Sequence, residues 1–247
     1  MKQGIKNFLS KVYLIYMGVI FVITLLIYYL PIRFYLTTEK KKQTIFPVFV
    51  LWAKLFCLFT GLRVITKKKS QIKEDQVIFI ANHTSFLDII FMYLLFPKHP
   101  FLFLGKSELL KIPLVKTFFK KLHIPVFRED RMKTGQSFKQ ASEALKNGWS
   151  IIIFPEGGIK EKLVPNLQPF KDGAFRLSAL HQVPLVPISF LNNYQLFADP
   201  STKNAIARPG KSLVIIHDCI YINPNDENTI NIKKQEAFEV INQGLRN

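Results

Sequence analysis

The chain opens with two long apolar stretches, and shorter apolar runs alternate with polar segments after them. Residues 12–32 carry no charge, and about 21 residues at 1.5 Å each give roughly 31 Å of helix, which is enough to cross a bilayer. A cleaved signal peptide is the alternative, but the stretch is long for one and ends without a small-x-small cleavage site. The pattern therefore predicts a membrane-associated helix near the N-terminus.

The second apolar stretch, residues 45–62, carries a single lysine among phenylalanine, leucine and tryptophan residues. Such a segment suits a membrane interface, where it could form a shallow hairpin with the first helix. A buried core helix of the same length would have the same composition. Both interpretations remain open from the sequence.

Beyond the lysines at 67–69, short apolar runs alternate with patterns typical of helices. Strands are predicted at residues 76–81, 101–105, 124–128, 150–154, 184–190 and 213–220. Helices are predicted at residues 87–95, 109–122, 133–147, 171–181 and 233–243. This alternation predicts an α/β fold with a mixed, largely parallel sheet flanked by helices and preceded by the N-terminal hydrophobic helical pair. We expect two units, a membrane-associated segment at 1–65 and an α/β domain at 66–247.

The charge is strongly basic, with 34 Lys and Arg against 17 Asp and Glu, while 49% of the residues are hydrophobic. This combination favours an anionic membrane surface or phosphorylated ligands. Nucleic acid would also suit the charge, but the sequence has no zinc-finger spacing or RNA-binding motif, so we expect no nucleic-acid partner. Cys57 and Cys219 stand alone in apolar surroundings, which indicates neither a disulfide framework nor a metal site.

Cations flank the first apolar stretch on both sides, with a small excess after it. The positive-inside rule therefore slightly favours a domain that faces the cytoplasm. The unpaired cysteines agree with a reducing compartment. We expect a membrane protein whose α/β domain lies on the cytoplasmic side.

The stretch NHTSFLD, residues 82–88, places His83 and Asp88 five positions apart directly after a predicted strand. On a continuous helix this offset would rotate the two side chains roughly 140° apart. They can meet only if His83 lies in the turn before the helix and Thr84 or Ser85 caps it. A carboxylate on one ring nitrogen would then make the other nitrogen a better base. An ordinary capped helix start uses the same residue types, and the spacing alone does not choose between the two.

A second stretch, SIIIFPEGG at residues 150–158, runs from four apolar residues into a glutamate and two glycines. The glycines allow backbone N–H groups or a ligand to come close. By itself the stretch also describes a strand followed by a glycine turn. Both stretches follow predicted strands, and ligands of α/β sheets bind outside the carboxyl ends of the strands, so the two can converge in space.

Taken together, the ordered motifs resemble the glycerolipid acyltransferase family of the PlsC type over most of residues 60–220. The motifs are NHTSFLD, GKSEL at 105–109, IPVFRED at 124–130, FPEGG and VPLVPISF at 183–190. The resemblance implies an O-acyltransferase that needs no cofactor and takes acyl-CoA or acyl carrier protein as co-substrate. Its product would be phosphatidate, made from 1-acyl-glycerol-3-phosphate.

In that family the histidine deprotonates the acceptor hydroxyl, which attacks the thioester directly and forms no acyl-enzyme. His83 would be the base and Asp88 its orienting partner, in agreement with the reading of NHTSFLD above. The absence of a nucleophile elbow near His83 fits this route.

The resemblance also implies binding residues for the lysophospholipid acceptor. Lys106 and Arg128 would hold its phosphate, and the planar fork of arginine suits a bidentate contact. Glu156 would orient the acceptor or brace its loop, and Gly157 would let the chain turn beside it.

Two departures from the family pattern concern the acceptor. Family members commonly read Thr-Arg where this chain has Gly158 and Ile159, so an arginine that contacts phosphate is missing, and Lys160 or Lys162 could replace it. The position before the arginine of the second motif is commonly acidic, whereas here it is Phe127. A lyso-amino-acid lipid is therefore an alternative acceptor, and a non-catalytic lysolipid-binding membrane protein is an alternative function.

Overall fold

The computed structural model describes residues 2–35, 43–127, 130–160, 164–198, 205–223 and 227–246. The helices are α1 (Lys2–Tyr35), α2 (Phe46–Thr60), α3 (Leu87–Leu95), α4 (Pro113–Leu122), α5 (Arg131–Lys146), α6 (Gly173–His181), α7 (Asn193–Leu196) and α8 (Glu227–Arg246). The strands are β1 (Leu62–Lys69), β2 (Ile78–Ala81), β3 (Phe101–Lys106), β4 (Ile124–Val126), β5 (Ser150–Ile153), β6 (Leu185–Phe190) and β7 (Gly210–Ile216). Short 3-10 helices cover Gln43–Ile45 and Ser107–Lys111.

The strands described form one sheet in the order β1-β7-β6-β2-β5-β3-β4. All neighbouring pairs are parallel except β6 and β7. Every residue of β2 and of β6 is buried, because helices cover both faces at the centre of the sheet. Strands buried on two faces read as continuous apolar runs, which is why these were visible in the sequence. The predicted fold class is confirmed.

The register of the three central strands brings the two motif stretches to one edge of the sheet. Ile80 of β2 pairs with Ile153 of β5 on one side and with Pro187 of β6 on the other. Because all three strands run in the same direction, the segments that follow them leave side by side. The loops with His83 and Glu156 therefore start from neighbouring strand ends.

The N-terminal helices form an antiparallel pair that is clamped onto the sheet domain. The Tyr13 hydroxyl donates to the Thr60 carbonyl, and Trp52 Nε1 donates to Thr24 Oγ1 at 3.1 Å. Phe49 of α2 stacks on Tyr93 of α3 with ring centroids 5.5 Å apart. The pair is therefore packed on the α/β core.

The outer surface of the pair is apolar. On α1, Ile15, Ile27 and Leu30 are 69%, 64% and 73% exposed, and on α2 the outward residues Leu58 and Phe59 are also exposed. The opposite face of α2 is buried against the core. The interpretation of residues 45–62 as a buried core helix therefore describes the inner face of α2, while membrane contact of its outer face stays a prediction.

Three element predictions need correction. The helix predicted at 109–122 is broken into the 3-10 helix Ser107–Lys111 and α4, because Pro113 lacks an N–H and cannot continue a helix from the preceding turn. Strand β1 was not predicted. It lies at the edge of the sheet, and its lysine-rich, mostly exposed sequence has no continuous apolar run. Strand β7 starts at Gly210 and ends at Ile216, and only Ile220 of the remaining predicted residues makes a further bridge, to Leu185.

Two further predictions concern boundaries. The predicted strand at 124–128 ends at Val126, and its last residue, Arg128, lies outside the described residues. The predicted division between residues 65 and 66 falls within β1. The separation into two units stays a prediction.

The contact of α8 with the sheet depends on Gly244. A Cβ at this position would overlap Ser189 Oγ and lie 3.0 Å from His217 Nε2, whereas a Cβ at Gly135 of α5 would meet nothing within 4 Å. We expect Gly244→Ala to lower the free energy of unfolding by about 1–3 kcal/mol through overpacking. Gly135→Ala should raise it by roughly 0.5–1 kcal/mol, because alanine is the better helix former. Thermal unfolding in detergent would test the pair, and shifts of the same sign would contradict this description of the α8 contact.

Candidate active site

His83 lies in the turn between β2 and α3, and its ring contacts the carboxylate of Asp88. The distance from Nδ1 to Oδ2 is 2.9 Å, and the Asp88 side chain is fully buried while that of His83 is 12% exposed. Since the carboxylate accepts, Nδ1 carries the proton and Nε2 keeps its lone pair. The structure therefore brings together the two residues that the sequence paired.

The Asp88 carboxylate is held by three further donors. The N–H groups of Thr84 and Ser85 donate to Oδ2 at 2.9 and 3.0 Å, and Asn193 Nδ2 donates to Oδ1 at 2.6 Å. A buried charge needs this many donors to offset its desolvation. Asn193 was not predicted, although its position just after β6 is where the strand-end rule places ligand-facing residues.

The turn that presents His83 is stabilised by Ser85. Its hydroxyl accepts from Leu87 N–H at 3.1 Å and donates to the Phe197 carbonyl at 2.7 Å. Phe86 occupies the position directly before the helix. Of the two predicted cap residues, Ser85 is the one whose side chain binds the first turn.

The glutamate of FPEGG holds the backbone of the same turn. Glu156 Oε1 accepts from His83 N–H at 2.8 Å, and Oε2 accepts from Gln168 N–H at 2.9 Å. Burial raises the pKa of the Glu156 carboxyl, although the two N–H groups oppose the shift. Gly157 follows with a φ of 82°, a left-handed conformation that favours glycine. Glu156 therefore braces the loop, while direct contact of either residue with the acceptor stays a prediction.

The imidazole of His83 is also fixed from its face. It stacks on Phe154, with ring centroids 4.0 Å apart and planes 15° from parallel. Phe154 comes directly after β5, within a stretch that the sequence did single out, but its contact with His83 was not predicted. Between Asp88 and Phe154 the ring has little freedom to rotate.

A cavity of about 610 Å³ opens at His83 and runs between the sheet domain and the helical pair. Its walls are mostly apolar and include Phe21 and Trp52 from the helical pair and Phe118 from α4. His123 also lines it, and burial lowers the pKa of this histidine to about 3, so the ring is uncharged at neutral pH. The cavity thus offers a largely apolar volume next to His83.

Of the predicted cations, Lys106 contacts this cavity. It lies at the end of β3, is exposed and lines the cavity, and the partly buried Ile159 lines it too. Lys160 is exposed, and both Arg128 and Lys162 lie outside the described residues. Their binding roles stay predictions. Within the ranges that the structure covers, no group of three or more His, Cys, Asp or Glu side chains is placed to hold a metal ion.

Comparison with known proteins places these motifs in a family. The family model described as Acyltransferase matches residues 63–191. A protein named 1-acyl-sn-glycerol-3-phosphate acyltransferase from Chlamydomonas reinhardtii is 30% identical over 178 residues, which cover 72% of this chain and 52% of that protein. A chloroplastic protein of the same name from Brassica napus is 32% identical over 145 residues, or 58% of this chain and 40% of that one. The chain thus spans about half the length of the curated relatives it matches.

The fold has a close counterpart among solved structures. The crystal structure of the 1-acyl-sn-glycerophosphate acyltransferase PlsC from Thermotoga maritima superposes with a TM-score of 0.73 and covers 98% of this chain and 96% of its own. The sequence identity is 23%, so the match supports the fold.

Glu156→Gln tests how the two loops are held together. An amide keeps one acceptor oxygen but turns its NH₂ toward the second backbone N–H, so we expect a loss of about 1–3 kcal/mol in the free energy of unfolding. Glu143→Gln is the control, because Glu143 is exposed on α5 and only approaches Lys146 at 3.8 Å. It should change stability by no more than a few tenths of a kcal/mol. Equal unfolding midpoints for the two variants in detergent would contradict the bracing role of Glu156.

Proposed function

This chain belongs to the acyltransferase family whose model spans residues 63–191, and we propose that it transfers a fatty acyl group from a thioester donor to the sn-2 hydroxyl of 1-acyl-glycerol-3-phosphate. One observation carries the proposal. The His83 ring, held through Nδ1 by buried Asp88, lines an apolar cavity of about 610 Å³. A base beside an acyl-sized cavity is what transfer of a fatty chain to a hydroxyl requires.

The proposed reaction runs through Nε2 of His83. This nitrogen takes the proton of the acceptor hydroxyl while the oxygen attacks the thioester carbonyl, forming the new C–O bond and a tetrahedral intermediate. The intermediate collapses with cleavage of the C–S bond, and the leaving thiolate takes the proton back from Nε2. The fixed negative charge of Asp88 stabilises the imidazolium between the two steps.

The surroundings of His83 support direct transfer. The Ser85 hydroxyl of the same turn is engaged with the Phe197 carbonyl and Leu87 N–H. Cys57 is buried in α2, and Cys219 lies beside Glu74, away from the turn of His83. None of these three groups is placed to form an acyl-enzyme intermediate.

The acyl chain of the donor or acceptor would occupy the cavity. Each methylene moved from water into an apolar site is worth on the order of 0.8 kcal/mol, so a long chain would be held firmly by walls of this kind. The first helix contributes to the cavity wall through Phe21 while its opposite face is apolar and exposed. In the described part of the chain, residues Gly4–Phe34 are long and apolar enough to cross a membrane. We infer that α1 holds the enzyme at the membrane that supplies its substrate, with the catalytic domain on the cytoplasmic side.

The decisive experiment offers purified protein 1-acyl-glycerol-3-phosphate with acyl-CoA or acyl carrier protein as donor. We expect phosphatidate, and we expect His83→Ala to lower the rate on the order of 10²- to 10⁴-fold because the general base is lost. His181→Ala is the control, since His181 of α6 contacts Ser142 of α5 and does not line the cavity. It should keep the wild-type rate.

A folded His83→Ala protein that works at the wild-type rate would overturn the mechanism. Activity confined to a lyso-amino-acid lipid in a parallel assay would change the acceptor and leave the base in place. Absence of transfer to either acceptor would favour a lysolipid-binding protein.

Chain-length preference tests the assignment of the cavity. Gly18 of α1 lines it, and a Cβ there would meet nothing within 4 Å, so Gly18→Leu should fill part of the volume. We expect the ratio of kcat/KM for long over short acyl donors to fall roughly tenfold, the equivalent of about two buried methylenes. Gly4→Leu is the matched control, because Gly4 lies on the same helix in open space outside the cavity lining. An unchanged ratio of kcat/KM in Gly18→Leu would contradict the proposal that the acyl chain occupies this cavity.

A further inference from the structure

Lys171 is hydrogen-bonded to the loop that carries Glu156, although it lies outside the FPEGG stretch. It lies two residues before α6, and its backbone N–H donates to the Pro155 carbonyl at 2.9 Å. The same loop is held to the His83 turn through Glu156. These two contacts place Lys171 beside the candidate active site.

The side chain of Lys171 lies across Gly157. A Cβ placed on Gly157 would be 2.9 Å from both Cε and Nζ of Lys171, closer than real side chains approach one another. Only a glycine at this position leaves room for the lysine to lie in this way. The ammonium is thereby placed over the main chain of the residue that follows Glu156.

The charge of Lys171 is not neutralised by its neighbours. Both oxygens of Glu156 are taken by backbone N–H groups. The adjacent carboxylate, Asp172, pairs instead with Lys234 at 2.7 Å and with Arg176 at 3.7 Å. Across the described ranges, no carboxylate lies within 4.0 Å of the Lys171 amine. An exposed ammonium without a counter-ion at the edge of a site is suited to bind an anionic group of the substrate.

Lys160 is the obvious alternative cation of this loop. It is exposed, and among the described residues no contact ties its side chain to Gly157 and no backbone bond holds it as the bond to Pro155 holds Lys171. Lys106 lies at the end of β3, whereas the Glu156 loop follows β5, and it lines the apolar cavity. Of these three, Lys171 alone is held against the glutamate loop by both its backbone and its side chain.

We propose that Lys171 determines acceptor specificity by binding the phosphate of 1-acyl-glycerol-3-phosphate while the sn-2 hydroxyl faces His83. The inference rests on the proposed function, since it assigns the anion of that acceptor. It makes Lys171 a substrate-binding residue with no part in proton transfer. Its loss should weaken binding of the phosphorylated acceptor and leave the chemical step intact.

The test compares Lys171→Gln with Lys139→Gln, an exposed lysine of α5 outside the cavity lining, using 1-acyl-glycerol-3-phosphate and the same lipid without phosphate, 1-acylglycerol. We expect Lys171→Gln to raise KM for the phosphorylated acceptor on the order of tenfold or more, as for loss of a charge-assisted hydrogen bond, with kcat within about twofold. KM for 1-acylglycerol should not rise. Lys171→Arg should keep most of the affinity, and Lys139→Gln should match wild type.

The outcomes separate the two proposals. A wild-type enzyme that does not acylate 1-acyl-glycerol-3-phosphate overturns the proposed function, whatever Lys171 does. An active wild type in which Lys171→Gln and Lys139→Gln have the same KM overturns the inference alone, and so does a fall in kcat with unchanged KM. If Lys171→Gln does not fold, Lys171→Met replaces it, because methionine keeps the apolar contact over Gly157 without the charge. The same rise in KM is then required.

Discussion

The buried carboxylate of Asp88 accepts four hydrogen bonds, and much of the site is arranged around the need to satisfy it. An ionised group away from water is tolerated only when donors surround it. Two of these donors are backbone N–H groups of the turn after β2, so this turn has to curl back over the first residues of α3. This turn also positions His83. The ring contacts Asp88 through Nδ1, and its other nitrogen, Nε2, remains available for chemistry.

A second buried carboxylate, Glu156, performs the matching task for the backbone. It links the His83 N–H to the loop that follows β5. One acid therefore orients the imidazole and the other fixes the chain that carries it, while Phe154 limits rotation of the ring. Preorganisation of this kind spares the reaction the cost of arranging its base, and it explains why two acidic residues at neighbouring strand ends belong to one site.

One face of α1 lines the apolar cavity, and the opposite face of the same helix is exposed. Its inner residues close the cavity above the sheet domain, and its outer residues present an apolar surface. Neither the helical pair nor the sheet domain encloses this volume alone. In the proposed function, such a site places an acyl chain next to the polar base, and Lys171 on the glutamate loop is proposed to bind an anionic head group.

The sequence by itself determined the elements whose cause is local. Continuous apolar runs marked the buried central strands. The five-residue spacing across a turn allowed His83 to meet Asp88, and the resemblance carried by the further motifs favoured that pairing over an ordinary helix start. The tertiary structure alone decided what depends on distant residues, such as Asn193, which reaches Asp88 from 105 positions away, and Lys171, which crosses Gly157. Strand β1 belongs to the same class, because its lysines hide a strand until β7 pairs with it. Local patterns are set by backbone sterics and burial within a few residues, whereas these contacts exist only once packing has brought separate strand ends together.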